Sequence, residues 1–124
     1  MEKSRILLVE DLKIAQKAAK KILSHFDFIV DMATTGQEAI DAFHKNEYQL
    51  IFMDVGLPDM HGLSVVAKIR EYEEGRGRRA LIIALSAHAT EEYQDAAFEY
   101  GMDDFIAKPL TKKKVQLIID KYLT

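Results

Sequence analysis

The chain of 124 residues carries a formal net charge of −3, with 48% hydrophobic and 30% charged residues, the proportions of one globular domain that buries roughly two-thirds of its unfolded surface. It has no cysteine, which excludes a disulfide framework, a thiolate zinc site and a cysteine nucleophile, and fits a reducing compartment. The acidic balance argues against direct nucleic-acid binding, and no apolar run reaches the ~18 residues of a membrane helix or resembles a signal peptide, so a cytoplasmic location is expected.

A first apolar run, Arg5 to Val9, predicts a buried strand that ends in Glu10-Asp11. Spacing of three and four then takes over, with Ile14, Ala18 and Ile22 beside Ala15 and Ala19 predicting a helix. Phe28 to Met32 reads as a second strand. Thr35-Gly36-Gln37-Glu38 is a capping-box pattern, and it opens a shorter helix around Ala39, Ile40 and Phe43. Leu50 to Met53 forms a third strand that runs directly into Asp54 and a loop marked by Gly56 and Pro58. Val65, Ile69 and Tyr72 predict the next helix, followed by a polar loop from Glu73 to Arg79 whose three arginines read as solvated. Leu81 to Leu85 is a fourth strand, and Tyr93, Ala96, Ala97 and Tyr100 mark a fourth helix. A weaker strand, Asp104 to Ala107, precedes a last helix striped by Val115, Ile118, Ile119 and Tyr122. Lys112-Lys113-Lys114, at its start, reads as a solvated run.

Strands apolar on both faces, alternating with amphipathic helices, are the pattern of βαβ units around a parallel sheet. Right-handed crossovers with helices on both faces make a doubly wound α/β sheet, (βα)5, the economical topology. In such sheets ligands bind outside the carboxyl ends of the strands. The first strand delivers Glu10 and Asp11 there, the third Asp54, the fourth Ser86 followed by Ala87, and the fifth Lys108-Pro109.

Each of these residues also has a plainer reading. Glu10-Asp11 would serve as helix cap and acidic first turn, Asp54 as a turn residue, Ser86 as a cap and Lys108 as one more surface lysine. Their coincidence at four strand ends favours a site. Clustered ionised carboxylates repel by about 4 kcal/mol per pair at ~4 Å and an effective dielectric near 20, so they need a counter-cation or must take up protons, and a divalent cation resolves this. An all-oxygen donor set suits Mg²⁺ better than zinc. With Lys108 and Ser86 added, the rim is built for a phosphoryl group, and Asp54 is the carboxylate able to take it as an acyl phosphate.

The segments "ILLVED", "IFMDVGLPDMHG", "IIALSAHA" and "GMDDFIAKPL" resemble, in order and spacing, the receiver domain of two-component response regulators, and the resemblance spans residues 1–124. It implies a flavodoxin-like fold with strand order 2-1-3-4-5. It also implies Asp54 as phosphoacceptor, Asp11 as direct Mg²⁺ ligand, Glu10 acting through metal-bound water, and the Gly56 carbonyl completing the protein's share of ligands. Ser86 is similar to the switch hydroxyl and Ala87 leaves room for the phosphate. Lys108 pairs with phosphoryl oxygens, the Lys108-Pro109 bond is expected to be cis, and Phe105 stands at the switch aromatic. Gly56 and His88 are expected to influence phosphoryl lifetime.

The pattern is most similar to receivers of hybrid histidine kinases and phosphorelays, with Leu12 and Ala15 at positions where these often carry asparagine. The implied partner is a histidine kinase or histidine phosphotransfer protein. A monomer is expected, with dimerisation on phosphorylation left open, and no enzymatic activity beyond self-phosphorylation and autodephosphorylation. Output is expected to lie in another chain or another part of the protein. Three other readings are weaker. A haloacid-dehalogenase-like phosphatase needs an acid where Gly56 stands and a cap segment. A pseudo-receiver would not keep the full acidic set. A flavodoxin-like electron carrier lacks a hydroxyl- and glycine-rich loop after the first strand.

Overall fold

In a computed structural model, which describes residues 4–55, 57, 61–87 and 90–123, strands and helices alternate strictly. They are β1 (Ser4–Val9), α1 (Lys13–Leu23), β2 (Phe28–Ala33), α2 (Gly36–Lys45), β3 (Leu50–Asp54), α3 (Gly62–Glu73), β4 (Leu81–Ser86), α4 (Glu91–Tyr100), β5 (Asp104–Ala107) and α5 (Lys112–Tyr122). The five strands form one parallel sheet in the order β2-β1-β3-β4-β5, the doubly wound topology expected from the alternation.

Strand period two sorts the core into two layers. Leu7, Val9, Ile51, Met53, Ile82 and Ala84 face α2, α3 and α4, which contribute Phe43, Val65, Ile69 and Ala97. Ile6, Leu8, Leu50, Phe52, Ile83 and Leu85 face α1 and α5, which contribute Ala19, Leu23, Val115 and Ile118. With both faces covered, the central strands are apolar throughout. β3 is buried along its whole length, Asp54 included.

Several local details depart from the sequence reading. β3 and β4 each run one residue further, to Asp54 and Ser86, because backbone pairing continues wherever a neighbouring strand offers partners. Asp54 pairs with Leu85 and Ser86 with Ala107. The buried side of α1 is Ala19 and Leu23, while Ile14 is 86% exposed and Ala18 also faces outward. At α2 the Thr35 hydroxyl accepts from the Glu38 amide as expected, but the Glu38 carboxylate reaches back to the amide of Thr34 rather than Thr35.

The largest difference concerns the amino-terminal edge of the sheet. The arginines of the loop after α3 are engaged rather than solvated. Arg76 lies 3.9 Å over the Tyr72 ring, Arg78 pairs with Glu47 at 3.2 Å, and Arg79 donates to Asp103 at 2.7 Å. Beneath them Arg70 donates to the Gly101 carbonyl (2.9 Å), the Ala80 carbonyl (2.8 Å), Glu73 (2.7 Å) and Asp103 (2.9 Å). The buried Glu73 accepts from the Ala80 amide and Asp103 from the Ile82 amide, so one network ties α3, the start of β4 and the turn before β5. Gly101 ends α4 with φ +112°, a conformation glycine tolerates, and an added Cβ would lie 2.9 Å from Arg70 Cγ. Charge runs alone did not reveal the pairs that hold the network together, because Glu47, Gly101 and Asp103 are all more than 20 positions from their arginine partners.

Removing one member of a network whose other members are buried leaves donors without acceptors. Asp103→Ala is expected to cost about 2–4 kcal/mol in urea unfolding, because the Ile82 amide loses the acceptor shown here and Arg70 and Arg79 each lose a charged partner. A loss below about 0.5 kcal/mol would show that the network contributes nothing.

Candidate functional site

The residues singled out at the strand ends meet at one end of the sheet. Glu10 (2% exposed), Asp54 (6%) and Ser86 (5%) are buried polar groups, and burial is costly for a carboxylate without a partner. Lys108 supplies that partner. Its Nζ lies 3.1 Å from Glu10 Oε1 and 3.3 Å from Asp54 Oδ2, linking the ends of β1, β3 and β5. Glu10, Asp11 and Asp54 each offer one oxygen, and these oxygens all lie within 4.8 Å of one another.

α1 begins at Lys13 with Leu12 as its cap residue, has no side-chain cap and no acidic residue in its first turn, so Glu10 and Asp11 do not serve the helix. Asp54 is the last paired residue of β3 rather than a turn residue. α4 is capped by Thr90, whose hydroxyl accepts from the Tyr93 amide, so Ser86 is not its cap. Lys108 is held between two carboxylates rather than extended into solvent.

Local structure explains why the site is held in this shape. The Glu10 amide donates to the Ala33 carbonyl at 3.0 Å, and the Gln16 side chain donates to the Glu10 carbonyl and, at 3.3 Å, to Thr34, so α1 and β2 fix the turn carrying the acidic pair. The Lys108 amide donates to the Ser86 carbonyl at 2.8 Å, and the Lys108-Pro109 bond is cis, as expected. Lys114, assigned to a solvated run from the sequence, instead donates to the carbonyls of Ala107 (2.7 Å) and Pro109 (3.0 Å) and braces the turn around that bond. Gly62 opens α3 against the end of β3. A Cβ there would lie 2.7 Å from Val55 Cα and 3.0 Å from the Asp54 carbonyl oxygen, so only glycine permits the approach.

Ala87 follows β4 at an exposed bend, and Phe105 is half-buried in β5, its ring packed edge-on against Tyr93 with centroids 6.0 Å apart. Gly56 and His88 lie outside the described residues. Sequence reasoning missed Gln16, and also His61, whose Nδ1 accepts from the Leu63 amide and caps α3. A glutamine on the polar side of a helix and a histidine before a glycine carry no distinctive spacing, so the sequence offered no signal for either.

The electrostatics follow from three carboxylates facing one ammonium. Burial, then the neighbouring Asp54, pushes the Glu10 carboxyl up to about 7 against the opposing pull of Lys108. Burial alone would lower the Lys108 ammonium, but the Glu10 and Asp54 carboxylates outweigh it and hold it above the usual lysine range. The cluster is short of positive charge, and its all-oxygen donor set matches what Mg²⁺ prefers, so the residues present fit that ion.

A doubly wound sheet with an acidic cup and a lysine at its carboxyl edge defines a phosphoryl-handling module rather than a dinucleotide or flavin carrier. Residues 6–120 match the family model for the response regulator receiver domain, and the chain belongs to that family. It is 34% identical to Histidine kinase 5 of Arabidopsis thaliana over 98% of its length, covering 16% of that protein. Among solved structures it is similar to the receiver domain of a sensor histidine kinase from Pseudomonas aeruginosa with magnesium coordinated in the active-site cleft. Identity there is 32%, the TM-score is 0.87, and 98% of each chain is covered. It is also similar to a co-crystal structure of a Saccharomyces cerevisiae histidine phosphotransfer signalling protein with the receiver domain of its downstream response regulator. Identity is 28%, the TM-score is 0.88, and the match covers 97% of this chain and 88% of that one. The chain spans only 7% to 16% of the length of the first curated relatives it matches. The protein is thus a receiver-domain phosphoacceptor module whose Glu10, Asp11 and Asp54 cluster suits Mg²⁺-dependent aspartate phosphorylation.

Two outcomes follow from the charge balance. A cation needs the acidic cluster ionised, so apparent Mg²⁺ affinity is expected to fall as pH drops through about 7, measurable by calorimetry from pH 8 to 5.5. Without metal, the folded-state pKa of Glu10 lies above its unfolded value of 4.5, so its contribution to stability is greatest below 4.5 and falls as pH rises through about 7. Asp54→Asn removes one of the like charges, and is expected to stabilise the metal-free protein at pH 8 by about 1 kcal/mol in urea unfolding, a gain that shrinks by pH 5.

Proposed function

We propose that Asp54 accepts a phosphoryl group from the phosphohistidine of a histidine kinase or histidine phosphotransfer protein. The reading rests on one observation: Lys108 Nζ sits between Glu10 and Asp54, with the Asp11 carboxylate beside them, at the convergence of three strand ends. An Asp54 carboxylate oxygen attacks phosphorus, the phosphorus–nitrogen bond to imidazole breaks, and the departing imidazole nitrogen keeps its electron pair and takes up a proton. The product is an acyl phosphate on Asp54.

Glu10, Asp11, Asp54 and the Gly56 carbonyl would hold Mg²⁺, which when bound neutralises the phosphoryl oxygens. Lys108 is positioned to exchange its carboxylate partners for phosphoryl oxygens, keeping one positive charge on the transferred group throughout. Ser86, buried on the last pair of β4, supplies a hydroxyl to the same region, and Ala87 adds no bulk there. The added charge biases a two-state element in which Phe105 and the face of α4, β5 and α5 respond.

In this reading residues 1–124 form one receiver domain, monomeric before phosphorylation, that catalyses only its own phosphorylation and autodephosphorylation. Among the described residues no helix is long and apolar enough to cross a membrane, which supports a cytoplasmic placement, as does the absence of cysteine. The names of the matched relatives, several of them hybrid kinases, support a phosphohistidine donor.

Incubation with Mg²⁺ and a small acyl-phosphate donor is expected to add one phosphoryl mass to the intact protein and none to Asp54→Asn. Lys108→Ala is expected to slow the reaction about 100-fold or more, since one preorganised positive charge is lost from the transition state. A phosphoryl gain that persists in Asp54→Asn would overturn the assignment, as would turnover of many equivalents of a phosphate ester.

A further inference from the structure

Among the described residues, one buried side-chain polar atom has no hydrogen-bond partner, the Tyr93 hydroxyl. Buried polar groups are almost always paired, so an unpaired one in a native fold calls for a reason. Tyr93 sits in the first turn of α4. Its ring centroid lies 6.0 Å from Phe105, edge to face, and 6.1 Å from His61, the cap of α3. The ring therefore lies between the first residues of β5 and the start of α3, and Gly62, next to His61, packs directly on the backbone of Asp54 and Val55. Burial and then the negative charge of Asp54 hold the hydroxyl above the usual tyrosine range, so it keeps its proton and feels the charge at the site.

We infer that Tyr93 is a positioning residue for the phosphorylated form: its hydroxyl, idle in the unphosphorylated protein, acquires an acceptor when Asp54 carries an acyl phosphate. That bond holds α4, and Phe105 through the ring contact, in the arrangement the phosphoryl group selects. The inference rests on Asp54 as the phosphoacceptor. Its physical basis is that phosphorylation raises the negative charge at Asp54 and brings three acceptor oxygens to a region that already contains an unused donor. A tyrosine serving only to fill the core would have a hydroxyl equally idle in both forms. Sequence periodicity placed Tyr93 in the apolar stripe of α4, and nothing in the spacing distinguishes the two roles.

Tyr93→Phe removes the oxygen and preserves the ring contacts. The test titrates wild type, Tyr93→Phe and Asp54→Asn with Mg²⁺ alone, and then with beryllium fluoride in the presence of Mg²⁺ as an acyl-phosphate mimic. Tyr93→Phe is expected to match wild type in Mg²⁺ affinity and to be at least as stable without fluoroberyllate, yet to bind fluoroberyllate about tenfold more weakly, the size of one lost bond to a charged acceptor. Equal fluoroberyllate affinity in wild type and Tyr93→Phe would overturn this inference alone. A wild-type protein that binds none, or an Asp54→Asn protein that binds it as tightly, would overturn the Asp54 assignment and this inference with it.

Discussion

One ammonium between two buried carboxylates sets the terms for the rest of the molecule. Lys108 stands at the end of the shortest strand, yet it connects Glu10 on β1 with Asp54 on β3. Those contacts require the carboxyl ends of β1, β3 and β5 to lie close together at one edge, and strand order 2-1-3-4-5 seats β1 beside β3 with only β4 between β3 and β5. The charges also do not balance, since three carboxylates face one lysine. The imbalance keeps the metal-free site under electrostatic tension and makes a divalent cation the natural complement.

The supports of the site are as specific as its charges. Glycine at Gly62 lets α3 rest on the backbone that presents Asp54, Gln16 holds the acidic turn from the side of α1, and Lys114 braces the turn that carries Lys108. None of these residues carries chemistry. They fix where the reactive atoms sit, and site function depends on such supporting contacts as much as on the reacting groups.

Much of this was legible in the sequence because it depends on local pattern. Apolar runs bounded by charged residues located all five strands, and the acidic pair, Asp54, Ser86 and Lys108 could be placed at one edge by topology alone. What escaped was pairing across long sequence separation. Glu73 read only as the start of a polar loop, and folding alone brings its partner Arg70 against Asp103. The exposed Ile14 and Ala18 show a second limit, since a helical stripe identifies an apolar face but does not say which of its edges meets the sheet. The idle hydroxyl of Tyr93 shows a third, because satisfaction of a polar atom is a property of three-dimensional surroundings and leaves no trace in spacing.

The ionic network around Asp103 divides the molecule mechanically. It locks the carboxyl-terminal end of α4, through Gly101, to α3 and to the first residues of β4. The amino-terminal end of the same helix, at Thr90, has no such clamp among the described residues and lies toward the charged rim. The helix is thus anchored by charge at its Gly101 end and by ring packing of Tyr93 against Phe105 and His61 at its Thr90 end, two unlike kinds of attachment on one element.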